Sequence, residues 1–254
     1  MEPAGPPRAP VAVPSAVARV ADRSTGGTAG RSPLRAVWRN NLGGLTFEAA
    51  GPPRRFVKWA PADSGLDLAA EATRMRWAAQ WTTVPQVVEH GTDDDGSWLV
   101  TEALPGRSAV DPRWLAHPAS AVRAVGVGLR ALHDALPLGE CPFDWSVAER
   151  VARAGSHGID VPADLRAAPP IDVLVVCHGD ACAPNTLLAD DGTVVGHVDL
   201  GTLGVADRWA DLAAASLSTG WNYGPGWDDL LLDAYGVARD DLRLDYYRRL
   251  WLAT

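Results

Sequence analysis

At 254 residues the chain can bury a substantial core as one large domain or two small ones, and no apolar run approaches the ~20 residues that a membrane-spanning helix needs. A formal charge of −8, with the arginines scattered among more numerous acids, argues against a nucleic-acid partner and favours a cationic ligand. Cys141, Cys177 and Cys182 include no CxxC pair and the N-terminus lacks a secretory apolar core, so free thiols in a reducing, cytoplasmic setting are expected.

Residues 1–32 are dense in Pro, Ala, Gly and Ser, carry no aromatic side chain and show no sustained apolar period; they are expected to form a largely disordered extension. From Leu34 the texture changes to three short alternating segments, LRAVWRN, LTFEAAG and RRFVKWAP, separated by GG and GPP, which predict an antiparallel meander. LDLAAEATRMRWAAQW then has a helical apolar pattern behind an Asp/Ser/Gly cluster suited to a cap. Two further strands, QVVEHG and SWLVTEAL, are joined by the acidic turn TDDDG, and LPG after the second marks a crossover. The boundaries this implies are 33–104 for a sheet-based N-terminal domain and 105–254 for a mainly helical C-terminal one. Within the latter, helices are predicted around 119–136, 147–154, 207–219, 227–235 and 242–252, with a hairpin of TLLA and VVGHVDL joined by the DDG turn at Asp190 to Gly192.

The hairpin region is where polar groups concentrate. VVCHGDACAPNTLLADDGTVVGHVDLG places His178, Asp180, Asn185 and Asp199 within residues 175–201. Phosphoryl transfer from a nucleotide needs a carboxylate facing the acceptor hydroxyl and oxygen ligands that hold Mg²⁺ on the phosphates. An Asp followed five positions later by an Asn, with a second Asp at the far side of a hairpin, supplies both at the spacing known for that chemistry. Singly, Asn185 and Asp199 also suit turn-capping roles, and His178 suits bracing of the loop. A zinc site is not indicated, because no second close-spaced ligand pair accompanies His178/Cys182 or Cys177/His197.

Upstream residues complete the pattern. Lys58 is the single lysine among 23 Lys and Arg residues; it lies in the third strand, and Glu71 lies in the helix that follows. A strand lysine on the phosphates and a helix-borne glutamate that pairs with it are the remaining parts of such a site. The loop NNLGGL, with Asn41, Gly43 and Gly44, offers backbone that could approach phosphates, although a GG turn in a hairpin is commonplace.

The motifs VKW at 57–59, LHD at 132–134, CPFD at 141–144, HGDACAPN at 178–185 and HVDLGTLGVADRWADLA at 197–213 resemble those of the aminoglycoside phosphotransferase family, most of all its 3′-phosphotransferase branch, from about residue 34 to the end. The resemblance implies an α+β, two-lobed protein-kinase-like fold with a small antiparallel-sheet N-lobe, a mainly helical C-lobe and an ATP cleft between them. It implies transfer from ATP, or GTP, with Mg²⁺, to a hydroxyl of an aminocyclitol antibiotic, a polycationic acceptor. By position, Asp180 would be catalytic, Asn185 and Asp199 would hold Mg²⁺, and Lys58 with Glu71 would place the phosphates. Thr101, Glu102 and Ala103 would form the hinge that reads the adenine, and Asp207, Arg208 and Asp211 would brace the loop beneath the site.

The acceptor side departs from the family pattern. Leu217 and Ser218 stand where an Arg-Asp pair is usual, the chain ends in WLAT rather than in acids and an aromatic residue, and the stretch from Cys141 to His178 is short. Asp144, Glu149, Asp228 and Asp229 are the remaining candidates for cation contacts, each equally consistent with a solvated face. The acceptor is accordingly an aminoglycoside or another small hydroxylated compound; a catalytically silent nucleotide-binding module is the reading from outside the enzymes.

Overall fold

The computed structural model describes residues 5–24 and 34–254; residues 1–4 and 25–33 lie outside the described part. The chain separates into two compact units, Met1–Ala79 with Pro85–Ala103, and Gln80–Val84 with Leu104–Thr254. The short segment Gln80–Val84 belongs with the second unit because the Thr83 carbonyl accepts the His197 amide at 3.4 Å and lies against Gly196. A linear boundary at 104/105 does not reveal that exchange.

The first unit opens with helix α1, Ser15–Ser24. This departs from the expected disordered extension. SAVARVAD places Ala16, Val17, Val20 and Ala21 on one helical stripe, and all four are buried. Pro, Ala and Gly content hid a pattern of small apolar residues that becomes stable once a sheet covers it.

That sheet contains β1 (Leu34–Arg39), β2 (Leu45–Ala49) and β3 (Arg55–Pro61), then, after helix α2 (Leu68–Ala78), β4 (Val87–Asp93) and β5 (Gly96–Glu102). All neighbours are antiparallel, in the order β1-β2-β3-β5-β4. Val57 stands between Phe47 and Val100, and Lys58 between Thr46 and Leu99. Because side chains alternate across a strand, the two rows face opposite ways. The Val57 row packs with Val17 and Val20 of α1 in one apolar cluster. Ion pairs from Arg19 to Asp93 (2.6 Å) and from Arg23 to Glu89 (3.0 Å) flank that contact. Helix α2 starts at Leu68, and its cap is Asp67, which accepts the Ala70 amide at 2.8 Å, rather than the preceding Asp63–Gly65 cluster.

The second unit runs β6 (Arg107–Ser108), α3 (Pro112–Leu115), α4 (Pro118–Ala135), α5 (Val147–Ser156), β7 (Leu174–Cys177), β8 (Thr186–Leu188), β9 (Val194–His197), β10 (Gly204–Asp207), α6 (Trp209–Tyr223), α7 (Asp228–Tyr235) and α8 (Asp241–Ala253). Helix α4 packs on α7, and α6 on α8. Leu129, Leu132, Leu188, Leu212 and Leu231 are almost wholly buried between these elements. The hairpin β8–β9 pairs Thr186 with His197 and carries β6 as its third strand. Strand β10, for which no strand is predicted, pairs with β7 and extends through Asp207, the first residue of the predicted helix. Helix α6 starts at Trp209 because both Asp207 carboxylate oxygens are engaged, one by the Trp209 amide and one by that of Asp172. Among the described residues no helix is long and apolar enough to cross a membrane.

Candidate active site

The loop between β7 and β8 is built on one buried carboxylate. Asp211, fully buried in α6, accepts the backbone amides of His178 (2.5 Å) and Gly179 (2.9 Å) and faces Nε2 of His133 at 3.0 Å. Burial opposes its charge, but the hydrogen bond and charge of His133 more than offset this, and its pKa lies below the ordinary carboxylate value. His133 is held in turn by the Tyr235 hydroxyl at 2.8 Å. Gly179 has φ +86°, and a Cβ there would fall 2.2 Å from the Thr202 carbonyl oxygen, so only glycine fits this turn.

His178 locks the other side. Its Nδ1 accepts the Asp180 amide at 3.3 Å and its Nε2 donates to the Val198 carbonyl at 2.9 Å, which assigns the ring proton to Nε2. This ties the loop to the end of β9. A second tie runs from the Val198 amide to the Asn185 carbonyl at 3.0 Å. Asp199 follows with φ +66°, the one non-glycine residue at positive φ among the described residues. Such a conformation costs roughly 1–3 kcal/mol and persists where the surroundings dictate it.

Asp180, Asn185 and Asp199 are thereby brought into one constellation. The Asn185 amide nitrogen donates to both the carbonyl (2.9 Å) and Oδ2 (3.1 Å) of Asp180, leaving its side-chain oxygen as the atom with ligand character. Burial and the neighbouring charge of Asp199 push the Asp180 pKa up. Its Oδ1 is buried without a hydrogen-bond partner. An all-oxygen donor set with two carboxylates repelling each other and one orphaned acceptor fits a hard divalent cation such as Mg²⁺.

In the first unit, Lys58 Nζ donates to Glu71 Oε1 at 2.6 Å, joining β3 to α2 on the sheet face opposite α1. The glutamate is buried and the lysine half-buried, so the ammonium is held at a defined place. The loop with Asn41, Gly43 and Gly44 is braced by its neighbour Asn40, whose Oδ1 accepts the amides of Leu42 (3.0 Å) and Gly44 (2.7 Å). A Cβ at Gly44 would meet Asn40 Nδ2 at 2.6 Å, which accounts for that glycine without a ligand. At the end of β5, the Glu102 amide donates to the Gln86 carbonyl and the Ala103 amide to the Arg54 carbonyl, both at 2.9 Å. The Glu102 and Ala103 amides are therefore engaged by backbone flanking the neighbouring strands, and Thr101 lies within the β3–β5–β4 ladder.

The acceptor candidates fare differently. Asp228 is paired with Arg248 (2.7 Å), and Asp229 with Arg239 (2.9 Å). Each thus already faces a guanidinium; the arginines lie 10 (Arg239) and 20 (Arg248) residues later, beyond the range of helical spacing rules. Asp144 caps the turn before α5 by accepting the Ser146 amide at 2.7 Å, and Glu149 is exposed in the first turn of α5. Arg208 pairs with Asp172 at 2.6 Å, securing the strand entry beneath the loop. Ser218, which reads in the sequence only as a departure from the family pattern, accepts the Ala183 amide on its hydroxyl at 2.9 Å and so supports the loop between β7 and β8. His133, inside the quoted LHD motif, was the available signal for the Asp211 contact.

Comparison with known proteins agrees with this construction. Residues 45–249 match the phosphotransferase enzyme family. An aminoglycoside 3'-phosphotransferase from Streptomyces fradiae is 37% identical over 252 residues, covering 85% of this chain and 92% of the relative. The crystal structure of a type VIII aminoglycoside-3'-phosphotransferase matches with a TM-score of 0.77 at 32% identity, covering 93% of this chain and 99% of that one. The aminoglycoside phosphotransferase APH(3'')-Id from Streptomyces rimosus, in complex with ADP and streptomycin, matches with a TM-score of 0.65 at 25% identity, covering 88% and 93%. The protein is thus a kinase-like enzyme, and the chain belongs to the phosphotransferase enzyme family, among the aminoglycoside phosphotransferases.

Proposed function

We propose that the protein transfers the γ-phosphoryl group of ATP to a hydroxyl of an aminoglycoside in the cytoplasm, with Asp180 as the base. The observation that carries the reading is the Asp180–Asn185–Asp199 constellation, in which one side chain is fixed on another and the third is held at positive φ. Asp180 orients the acceptor O–H and accepts its proton as the new O–P bond forms and the bond to the leaving ADP breaks. A pKa raised by burial suits a group that must take a proton.

Asn185 and Asp199 would hold Mg²⁺. When bound, the cation neutralises charge on the phosphate oxygens. Lys58, kept in place by Glu71, would supply a fixed positive charge to the phosphates of the nucleotide. The loop with Asn41, Gly43 and Gly44 and the hinge Thr101–Ala103 are proposed to contact the nucleotide through backbone groups left over by the sheet.

The test is ADP release coupled to a panel of aminoglycosides and unrelated alcohols. The expected result is transfer to at least one aminoglycoside that stops on chelation of divalent cations. Turnover with another alcohol and none with any aminoglycoside would replace the acceptor.

A further inference from the structure

Cys182 stands between the proposed base and helix α6, on backbone that is fixed on both sides. Its carbonyl accepts the Asn185 amide at 2.9 Å, closing the short 3-10 turn Ala183–Asn185. The next amide, that of Ala183, donates to the Ser218 hydroxyl at 2.9 Å. Two residues before Cys182, Asp180 has Oδ2 bonded to the Asn185 side chain, while Oδ1 is buried without a hydrogen bond. The Cys182 thiol is within reach of both neighbours, the Asp180 carboxylate on one side and the Ser218 hydroxyl on the other.

Ser218 sets the direction of these contacts. Its buried oxygen accepts two N–H groups, one from the Ala183 amide at 2.9 Å and one from the Asn222 side chain at 3.2 Å. A hydroxyl has two lone pairs and one proton, so with both lone pairs taken Ser218 has its O–H left to give. The acceptor beside it is the Cys182 sulfur. A sulfur that accepts there can turn its own S–H to the remaining partner, the Asp180 carboxylate. Burial and the charge of Asp180 raise the thiol pKa well above its ordinary value, so the sulfur keeps the proton it donates.

We infer that Cys182 is a positioning residue for the base: its thiol, oriented by Ser218 and Asn222, steadies one side of the Asp180 carboxylate while Asn185 holds the other. The inference rests on the phosphotransferase reading above. The terminal torsion of a carboxylate side chain is broad, so a group held from one side alone samples more orientations. A base that spends less time in line with the acceptor O–H slows transfer without loosening either substrate.

The experiment measures kcat and both KM values with the full chain, ATP, Mg²⁺ and kanamycin, or another alcohol that the acceptor panel shows to be phosphorylated. Cys182→Ala, which removes the donor, is expected to lower kcat about fivefold or more and to leave the KM for ATP and for the acceptor within about twofold. Cys182→Ser differs from it by a single hydroxyl and should regain most of that loss. Nucleotide titration shows whether the alanine variant is folded; if it is not, Cys182→Val, which fills the space without a donor, replaces it with the same expectation. A kcat within about twofold of the parent protein in the donorless variant overturns the inference. So does a serine variant as slow as the alanine one, because the side chain then acts by volume alone. Either result leaves transfer by the parent protein intact and removes this inference only; a parent protein that transfers to no acceptor removes the phosphotransferase reading with it.

Discussion

The catalytic loop and the helices that end the chain use charge in opposite ways. Around Asp180, one buried carboxylate organises backbone: Asp211 takes two amides and a histidine, and the loop's shape follows from it. Along α7 and α8, carboxylates and arginines meet in pairs at the surface, where each pair contributes about 0–1 kcal/mol and fixes little. The difference teaches that the shape of the β7–β8 loop is held by buried, geometrically demanding bonds, which the surface pairs of α7 and α8 are not.

Three substitutions would break or sharpen that contrast. The largest effect is expected for Asp180→Ala, which should lower kcat roughly 10²- to 10⁴-fold while nucleotide affinity, read by titration, stays near that of the parent. Full activity in this variant would remove the base from the scheme.

Asp211→Ala should come next, acting on stability. It leaves two buried amides without an acceptor, and a loss of about 3 kcal/mol or more is expected in denaturant unfolding. The pH dependence follows from the sign of the shift. Because the folded pKa of Asp211 is depressed, its contribution is present above the ordinary carboxylate value of 3.8 and is lost as pH falls through the lower folded value. The gap between parent and variant should therefore close in acid and be constant near neutrality.

The smallest effect is expected for Asp229→Asn. With its charge already on Arg239 and its side chain exposed, the change should alter stability by less than about 0.5 kcal/mol and leave the acceptor KM within about twofold. A large rise in acceptor KM would return this carboxylate to the binding surface and erase the contrast drawn above.

The parts of the site that were legible in the sequence are those set by short-range spacing. Asp180 and Asn185 lie five residues apart on one loop, and the DDG turn forces β8 and β9 together, so their relation to Asp199 could be read directly. Lys58 and Glu71 are 13 residues apart, but a strand and the helix after it leave few ways to place them. Helix α1 was missed because composition outweighed a stripe of small apolar residues whose partner, Phe47 on β2, begins more than twenty residues later. Strand β10 was missed because four residues carry little periodicity and its partner β7 lies some thirty residues earlier.

The sequence by itself determined the spacing that puts Asp180 and Asn185 on one loop, and the order of strands, lysine, glutamate and hairpin. These follow from local backbone geometry, which acts over a few residues. Only the tertiary structure decided that His133 and Asp211, 78 residues apart, share a bond, that Asp228 and Asp229 are matched by arginines, and that Trp221 meets Trp251. Such contacts depend on which helices pack together, and many different spacings along a chain can satisfy the same packing.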